Sequence, residues 1–264
     1  MTFDPMGTTA IVTGASSGFG LEFAHRLAER GADLVLVARR ADRLEALAAE
    51  LGRRYGTTCT VVPLDLSRTD AATSLAAILA EKKITVSTLV NNAGFGTHGL
   101  VADSDPARLD AEVAVNVSAV VSLTRAFLPG MITAGNGALV NVASTAGFQP
   151  IPRMAVYGAT KAFVLSFTQA LWWEAKGTGV KVIALCPGPA STEFVDVAHN
   201  ADAMVGKVET AAEVVAAAFR ALDRRDPSPV AITRAANALN AKMEGFVPRR
   251  ALVNMVARLG SPKK

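Results

Sequence analysis

The segment from Thr8 to Arg30 most narrows what this chain can fold into. It opens with a short apolar run, TTAIVT, passes through glycines at Gly14, Gly18 and Gly20, and continues as FGLEFAHRLAER. The run has the length and β-branched content of a buried parallel strand, and Phe23, Ala24 and Leu27 recur at helical spacing after the glycines. Strand, bare turn and helix in this order let a pyrophosphate approach the backbone and rest at the positive end of a helix. The spacing reads TGxxxGxG rather than the commoner GxGxxG.

Further apolar runs at Leu34 to Val37, Thr60 to Leu64, Leu89 to Val90, Ala138 to Val142 and Val182 to Leu185 alternate with helical patterns such as Leu44, Leu47, Ala48 and Leu51. This alternation predicts a doubly wound parallel sheet with helices on both faces, and a ligand crevice at the carboxyl ends of the strands. With 264 residues, 50% of them hydrophobic, the chain can bury one large core, and a single α/β domain over 1–264 is expected.

Tyr157 and Lys161 stand four residues apart in YGATK, one helical turn, so phenol and ammonium share a face. A free tyrosine titrates near 10, and a neighbouring cation in a partly closed site is expected to lower that value, making an acid that works near neutrality.

Together these residues resemble the short-chain dehydrogenase/reductase family from about Thr8 to Thr233. The resemblance rests on TGASSGFG and YGATK, on NNAG at Asn91 to Gly94, on Asn116 in VAVNVSAV, on Ser144 in LVNVASTAG, and on Pro187 and Gly188 with Thr192 in a PGxxxT arrangement. It implies a Rossmann-like fold in which Tyr157 exchanges a proton with a substrate oxygen while a hydride moves to or from a nicotinamide. Lys161 would bind the nicotinamide ribose, Ser144 would hydrogen-bond the substrate carbonyl or hydroxyl, and Asn116 would hold a water linking Lys161 to solvent. By themselves, Ser144 also reads as a capping serine and Asn116 as a satisfied core amide. The same resemblance implies a nucleotide site formed by Gly14, Ser16, Ser17, Gly18, Phe19 and Gly20, by Asn92, Ala93 and Gly94, by Tyr157 and Lys161, and by Pro187, Gly188 and Thr192.

Cofactor choice is read at ADLVLVARR. An NAD-preferring chain would place an acid where Ala38 stands, whereas Arg39 and Arg40 follow it here, and a guanidinium grips a 2′-phosphate well. In the resembling family a basic residue at this point marks NADP, with Arg39 the stronger candidate and Arg40 the weaker; a solvated pair opening a helix is the other reading. Asp65 would contact the adenine amino group by resemblance.

For the substrate, the resemblance points to the segment after Ser144 and to a lid over 188–209. These offer Phe148, Pro150, Ile151, Pro152, Met154, Phe194 and Val195, with Arg153 and Glu193 nearby. Such a lining favours a lipophilic ketone or secondary alcohol, although several of these side chains could instead pack inward. Two functions follow: an NADPH-dependent carbonyl reductase, or an NADPH-binding sensor or scaffold with little turnover. The intact Ser144, Tyr157, Lys161 and Asn116 set favours the first.

Residues 234–264 carry seven basic side chains against Glu244 alone, a local charge of +6, so with +4 overall the remainder carries −2. Leu252, Met255, Val256 and Leu259 form an apolar stripe there. A helix lying on an anionic membrane surface, a subunit contact, and a helix folded onto its own core all fit that pattern. No stretch reaches the ~20 apolar residues expected of a spanning helix. The apolar continuation of the Tyr157 helix, including Phe163, Trp172 and Trp173, predicts a homodimer or homotetramer. Cys59 and Cys186 in separate strand patterns predict two free thiols in a reducing, cytoplasmic setting, peripheral to a membrane if the basic segment binds one. The scattered His25, His98 and His199 predict no metal, and no nucleic-acid partner is expected.

Overall fold

A computed structural model describes residues 2–191, 208–244 and 247–259, with the side chains of Asn240, Lys242, Glu244 and Leu259 outside that description. The strands are β1 Thr9–Thr13, β2 Asp33–Ala38, β3 Cys59–Pro63, β4 Val86–Asn91, β5 Gly137–Val142, β6 Val180–Cys186 and β7 Val230–Ile232. All pair in parallel, in the order β3-β2-β1-β4-β5-β6-β7. Chain progression reverses between β1 and β4, and that reversal opens the crevice. The edge strand β7 was not foreseen, because three residues leave no periodicity to read.

The period of two along each strand sorts the core into two layers. Ala10, Val12, Leu34 and Leu36 face the helices α1 Gly18–Glu29, α2 Ala41–Tyr55 and α7 Ala211–Leu222, meeting Phe23, Leu27, Leu44, Leu51 and Phe219. Ile11, Val35, Leu89 and Leu139 face the other side, where α3 Ala71–Glu81, α5 Ala119–Ala134 and α6 Ala155–Glu174 bring Leu75, Leu79, Leu123, Met131 and Leu171. The remaining helices are α4 Pro106–Val113, α8 Ala235–Glu244 and α9 Arg249–Leu259.

α4 and α5 form one continuous rod joined by a π turn, Ala114–Ser118. Its 29 residues from Pro106 to Ala134 include an 18-residue window of mean hydropathy 1.4, long and apolar enough by length and composition to cross a membrane, correcting the expectation that no stretch reaches that length. Its apolar character has another cause here, since α5 packs on β4 and α3. The basic C-terminal segment divides as well: Leu252 of α9 is fully buried, whereas Met255 is about half exposed. On α6, Val164, Leu165 and Leu171 turn inward while Phe163 and Trp173 face outward. Both cysteines are free, in β3 and β6.

A buried polar chain fixes α5 and α6 to the sheet. Asn91 Nδ2 donates to Asn141 Oδ1 at 2.9 Å and to Thr124 Oγ1 at 3.2 Å, and Asn141 Nδ2 donates to Thr168 Oγ1 at 2.9 Å. Such groups are costly to bury unless paired. Asn141→Ala should therefore leave one N–H of Asn91 unpaired, remove the donor to Thr168 Oγ1 and lower stability by about 2–4 kcal/mol, read as a lower urea midpoint with unchanged slope.

Candidate active site

The crevice begins at the turn after β1. Gly14 and Gly18 adopt φ of +66° and +55°, and Gly14 N donates to Val37 O at 2.8 Å. A Cβ on Gly20 would run into Gly14 O and approach Asn92 Nδ2 to 2.7 Å, so the turn closes on itself only without a side chain there. Ser17 caps α1 through its backbone with no side-chain cap bond, and the first turn carries no acid. The amides at this positive helix end thus face a surface without competing negative charge.

Of the paired arginines, Arg40 reaches back over this turn. Its Nε and Nη2 donate to Ser16 Oγ at 3.2 and 2.9 Å, and Nη2 donates to Ser17 Oγ at 3.1 Å. Arg39 is exposed, and its charge helps hold Asp65 below the usual carboxylate range, after the larger effect of hydrogen bonding from Ser67. Asp65 Oδ1 accepts from Ser67 N at 2.9 Å and Ser67 Oγ at 2.8 Å, closing the turn after β3. A bare cradle, a helix N-terminus and two guanidinium groups suit a dinucleotide bearing an extra phosphate.

The NNAG segment is braced against β1. Asn92 Nδ2 donates to Thr13 O at 2.8 Å, and the amides of Asn92 and Ala93 donate to Thr13 Oγ1 at 2.9 and 3.0 Å. The side chain of Asn92 therefore serves as a strut, and Thr13, which sequence reasoning passed over, is its anchor. Gly94 leaves room for two neighbours: a Cβ there would lie 3.0 Å from Asn116 Oδ1 and 3.5 Å from Lys161 Nζ.

Asn116 sits in the π turn, a helical irregularity frequent at functional sites. Its Oδ1 accepts from Phe95 N at 3.1 Å, and Nδ2 donates to Phe95 O at 2.8 Å and Thr160 Oγ1 at 3.1 Å. The side chain thus ties the loop after β4 to α6, with both amide hydrogens used and one lone pair of Oδ1 left over.

Ser144 ends β5, caps the short 3-10 turn Thr145–Gly147 by accepting from Ala146 N at 3.1 Å, and hydrogen-bonds Tyr157. It is both a cap and a partner of the phenol. Gly147 permits that turn to lie on α6, where a Cβ would come within 2.7 Å of Lys161 O. Lys161 is buried, its Nζ donating to Val142 O at 2.7 Å and lying 5.7 Å from the Tyr157 ring centre.

Burial governs the acidity of this pair. Tyr157 keeps part of its surface open to the crevice, yet desolvation outweighs the Ser144 hydrogen bond and pushes its phenol up to about 12. Desolvation also brings Lys161 down to about 8. This corrects the expected direction for Tyr157: at 5.7 Å, with its ammonium bound to a carbonyl, Lys161 does not overcome the cost of burying a phenolate. The phenol is held protonated, as a proton donor must be.

At the far wall, Pro187 and Gly188 follow β6. Buried Glu209 was missed by sequence reasoning, lacking any motif: its Oε2 accepts from Thr233 Oγ1 at 2.5 Å and Gly188 N at 3.4 Å. Ser191 N donates to Glu209 O at 3.0 Å and Glu209 N to Pro189 O at 2.9 Å, so both ends of the 188–209 segment are stitched together. Thr192, Glu193, Phe194, Val195 and His199 lie outside the described residues. Phe148, Ile151 and Pro152 are partly exposed, whereas Met154 is buried and caps α6. A cleft of about 270 Å³ lined by Thr97, His98, Leu100 and Arg108 includes neither Ser144 nor Tyr157. Among the described residues no three His, Cys, Asp or Glu side chains are placed to hold a metal.

A seven-stranded parallel sheet, a glycine cradle at its first turn, and a serine–tyrosine–lysine group at the crevice define a dinucleotide-dependent oxidoreductase. The chain belongs to the short chain dehydrogenase family, which it matches over residues 8–203. It is 42% identical over 199 residues to a sulfoacetaldehyde reductase of Chromohalobacter salexigens, covering 75% of this chain and 78% of that one. A short-chain dehydrogenase from Sphingobium yanoikuyae solved with NADPH superposes with a TM-score of 0.80 at 36% identity, covering 90% of this chain and 94% of the other. The bulky-bulky ketone specific alcohol dehydrogenase of Comamonas testosteroni gives 0.76 at 33% identity, with coverage of 90% and 93%.

Gly20→Ala should force the turn open against Gly14 O. Dinucleotide affinity should fall by at least tenfold by fluorescence titration, with about 1–3 kcal/mol of stability lost by urea unfolding.

Proposed function

We propose that the protein is an NADPH-dependent reductase of lipophilic ketones, reversible to oxidation of the matching secondary alcohols. The observation that carries this reading is the hydrogen-bonded Ser144–Tyr157 pair beside buried Lys161, at the carboxyl ends of the strands. A pure sensor or scaffold has no need of a phenol kept protonated at a crevice.

NADPH, when bound, supplies the hydride. Tyr157 gives its proton to the substrate oxygen as negative charge develops there, Ser144 stabilises that oxygen by hydrogen bonding, and Lys161 supplies a positive charge and a proton source behind the phenol. Asn116 holds the geometry by joining Phe95 to Thr160, one residue from Lys161. Gly14, Gly18, Gly20 and the first turn of α1 would receive the pyrophosphate, and Arg39, with Arg40 anchored on Ser16 and Ser17, the 2′-phosphate. NADP use is further supported by the NADPH complex of the Sphingobium relative. The 188–209 segment would act as substrate lid, its ends joined at Glu209. Partly exposed Phe148, Ile151 and Pro152, together with the ketone-specific Comamonas relative, support a lipophilic substrate. Exposed Phe163 and Trp173 on α6 support pairing with a second copy of the chain.

The test monitors NADPH absorbance with bulky aromatic and aliphatic ketones and, as a contrast, a short sulfonated aldehyde. Tyr157→Phe should lower kcat by at least 10²-fold while retaining NADPH affinity; equal turnover by mutant and wild type on every active substrate overturns the proton-transfer role. Preference for the charged aldehyde over all ketones overturns the lipophilic assignment.

Arg39→Asp should weaken NADPH binding by at least tenfold while changing NADH binding little, measured by fluorescence titration of both. Equal loss of the two would remove Arg39 from the 2′-phosphate site.

A further inference from the structure

One ionisable group near the site is not used by the reaction above. Glu112 is 0% exposed, and neither of its carboxyl oxygens has a hydrogen-bond partner among the described residues. It stands on α4 one helical turn before Asn116, where α4 and the π turn pack against α6. A buried carboxyl without a partner is expensive, and an isosteric apolar side chain would fill the same volume at less cost. Its retention in the interior calls for a physical role.

Its surroundings identify that role. Arg108 lies one turn earlier on the same helix, but its Nη2 donates to Gly96 O at 3.4 Å and its guanidinium packs over the Phe95 ring at 5.4 Å. From the loop after β4 comes Thr97, whose hydroxyl is also buried and unpaired; it lies close enough to favour the Glu112 anion without alignment into a hydrogen bond. From α6 come Lys161 and Tyr157, both within electrostatic reach. Desolvation raises the proton affinity of Glu112, and that rise is opposed first by the nearby hydroxyl and backbone N–H of Thr97 and then by the charges of Arg108 and Lys161. A carboxylate in this position favours the ammonium form of Lys161 and the protonated form of Tyr157. Cys186, at the end of β6, is the larger counterweight as a thiolate, but burial pushes its thiol up to about 12, so near neutrality Glu112 is the group left to counter the desolvation that strips Lys161 of its charge.

We propose that Glu112 is a positioning residue for proton transfer, a buried carboxylate that holds Lys161 in its ammonium form beside Tyr157. The proposal rests on the reading of Tyr157 and Lys161 as the proton-transfer pair, but its test requires no turnover. The protein is labelled with ¹³C-lysine and the Cε resonance of Lys161, assigned by its loss in Lys161→Met, is followed through pH. Its midpoint should lie near 8 in the parent, fall by about one unit in Glu112→Gln, and stay within a few tenths of the parent in Glu112→Asp, which keeps the charge. Glu112→Met, apolar and of similar volume, should reproduce the Gln result. A Lys161 midpoint unchanged in a folded Gln or Met variant overturns the proposal, as does failure of both neutral variants to fold, which would assign Glu112 to packing. Where a substrate is active, the alkaline limb of its reduction profile should move to lower pH with the same variants. A shifted midpoint without turnover on any substrate would leave the charge coupling intact and overturn only the catalytic reading.

Discussion

The amide of Asn141 is the joint on which the rest of the structure turns. It takes a hydrogen bond from Asn91 at the end of β4 and gives one to Thr168 on α6, so one side chain sets the distance between the sheet and the helix carrying Tyr157 and Lys161. Thr168 passes its own proton to Val164 O at 2.6 Å within α6, which orients the hydroxyl so that its lone pair faces Asn141. In a dry interior these bonds admit little slack, because each group lost would remain unsatisfied. The same Asn91 begins the NNAG segment, so the strut that fixes the helix also starts the loop bounding the nucleotide cradle.

Given that rigid frame, the chemistry is set by solvation. Tyr157 and Lys161 are neighbours by helical repeat, yet Nζ lies 5.7 Å from the ring centre and is bound to Val142 O. Desolvation moves both groups toward their neutral forms, the phenol up and the amine down. For a reductase the first shift is an advantage, since the donor stays loaded over the whole neutral range. The second is a liability, since an ammonium that discharges near pH 8 takes with it the charge that steadies the phenolate left behind. A nearby anion is what electrostatics requires to restore it.

Much of this was legible in the sequence because the needed signals are local. The glycine cradle, the YGATK turn and six of the seven strands each declare themselves within a dozen residues, through steric exclusion or through period two. What escaped reading depends on separation in the chain. Thr13 braces residues about eighty positions later, Glu209 joins Gly188 to Thr233, and Glu112 looks like one more polar residue on an amphipathic helix until burial is known. The acidity of Tyr157 was misjudged for the same reason: spacing gives the neighbour, but only the folded environment gives the dielectric.

Glu209 shows how the fold holds the rim of the crevice apart from the proton donor. Its carboxylate gathers Gly188 N and Thr233 Oγ1, and its backbone pairs with Pro189 and Ser191, so the segment between is tethered at one point on the rim. Ser144, Tyr157 and Lys161 hang instead from β5, α6 and the amide chain across the sheet. The two sets of bonds share no residue, so a change at Glu209 does not directly load the hydrogen bonds that hold the proton donor.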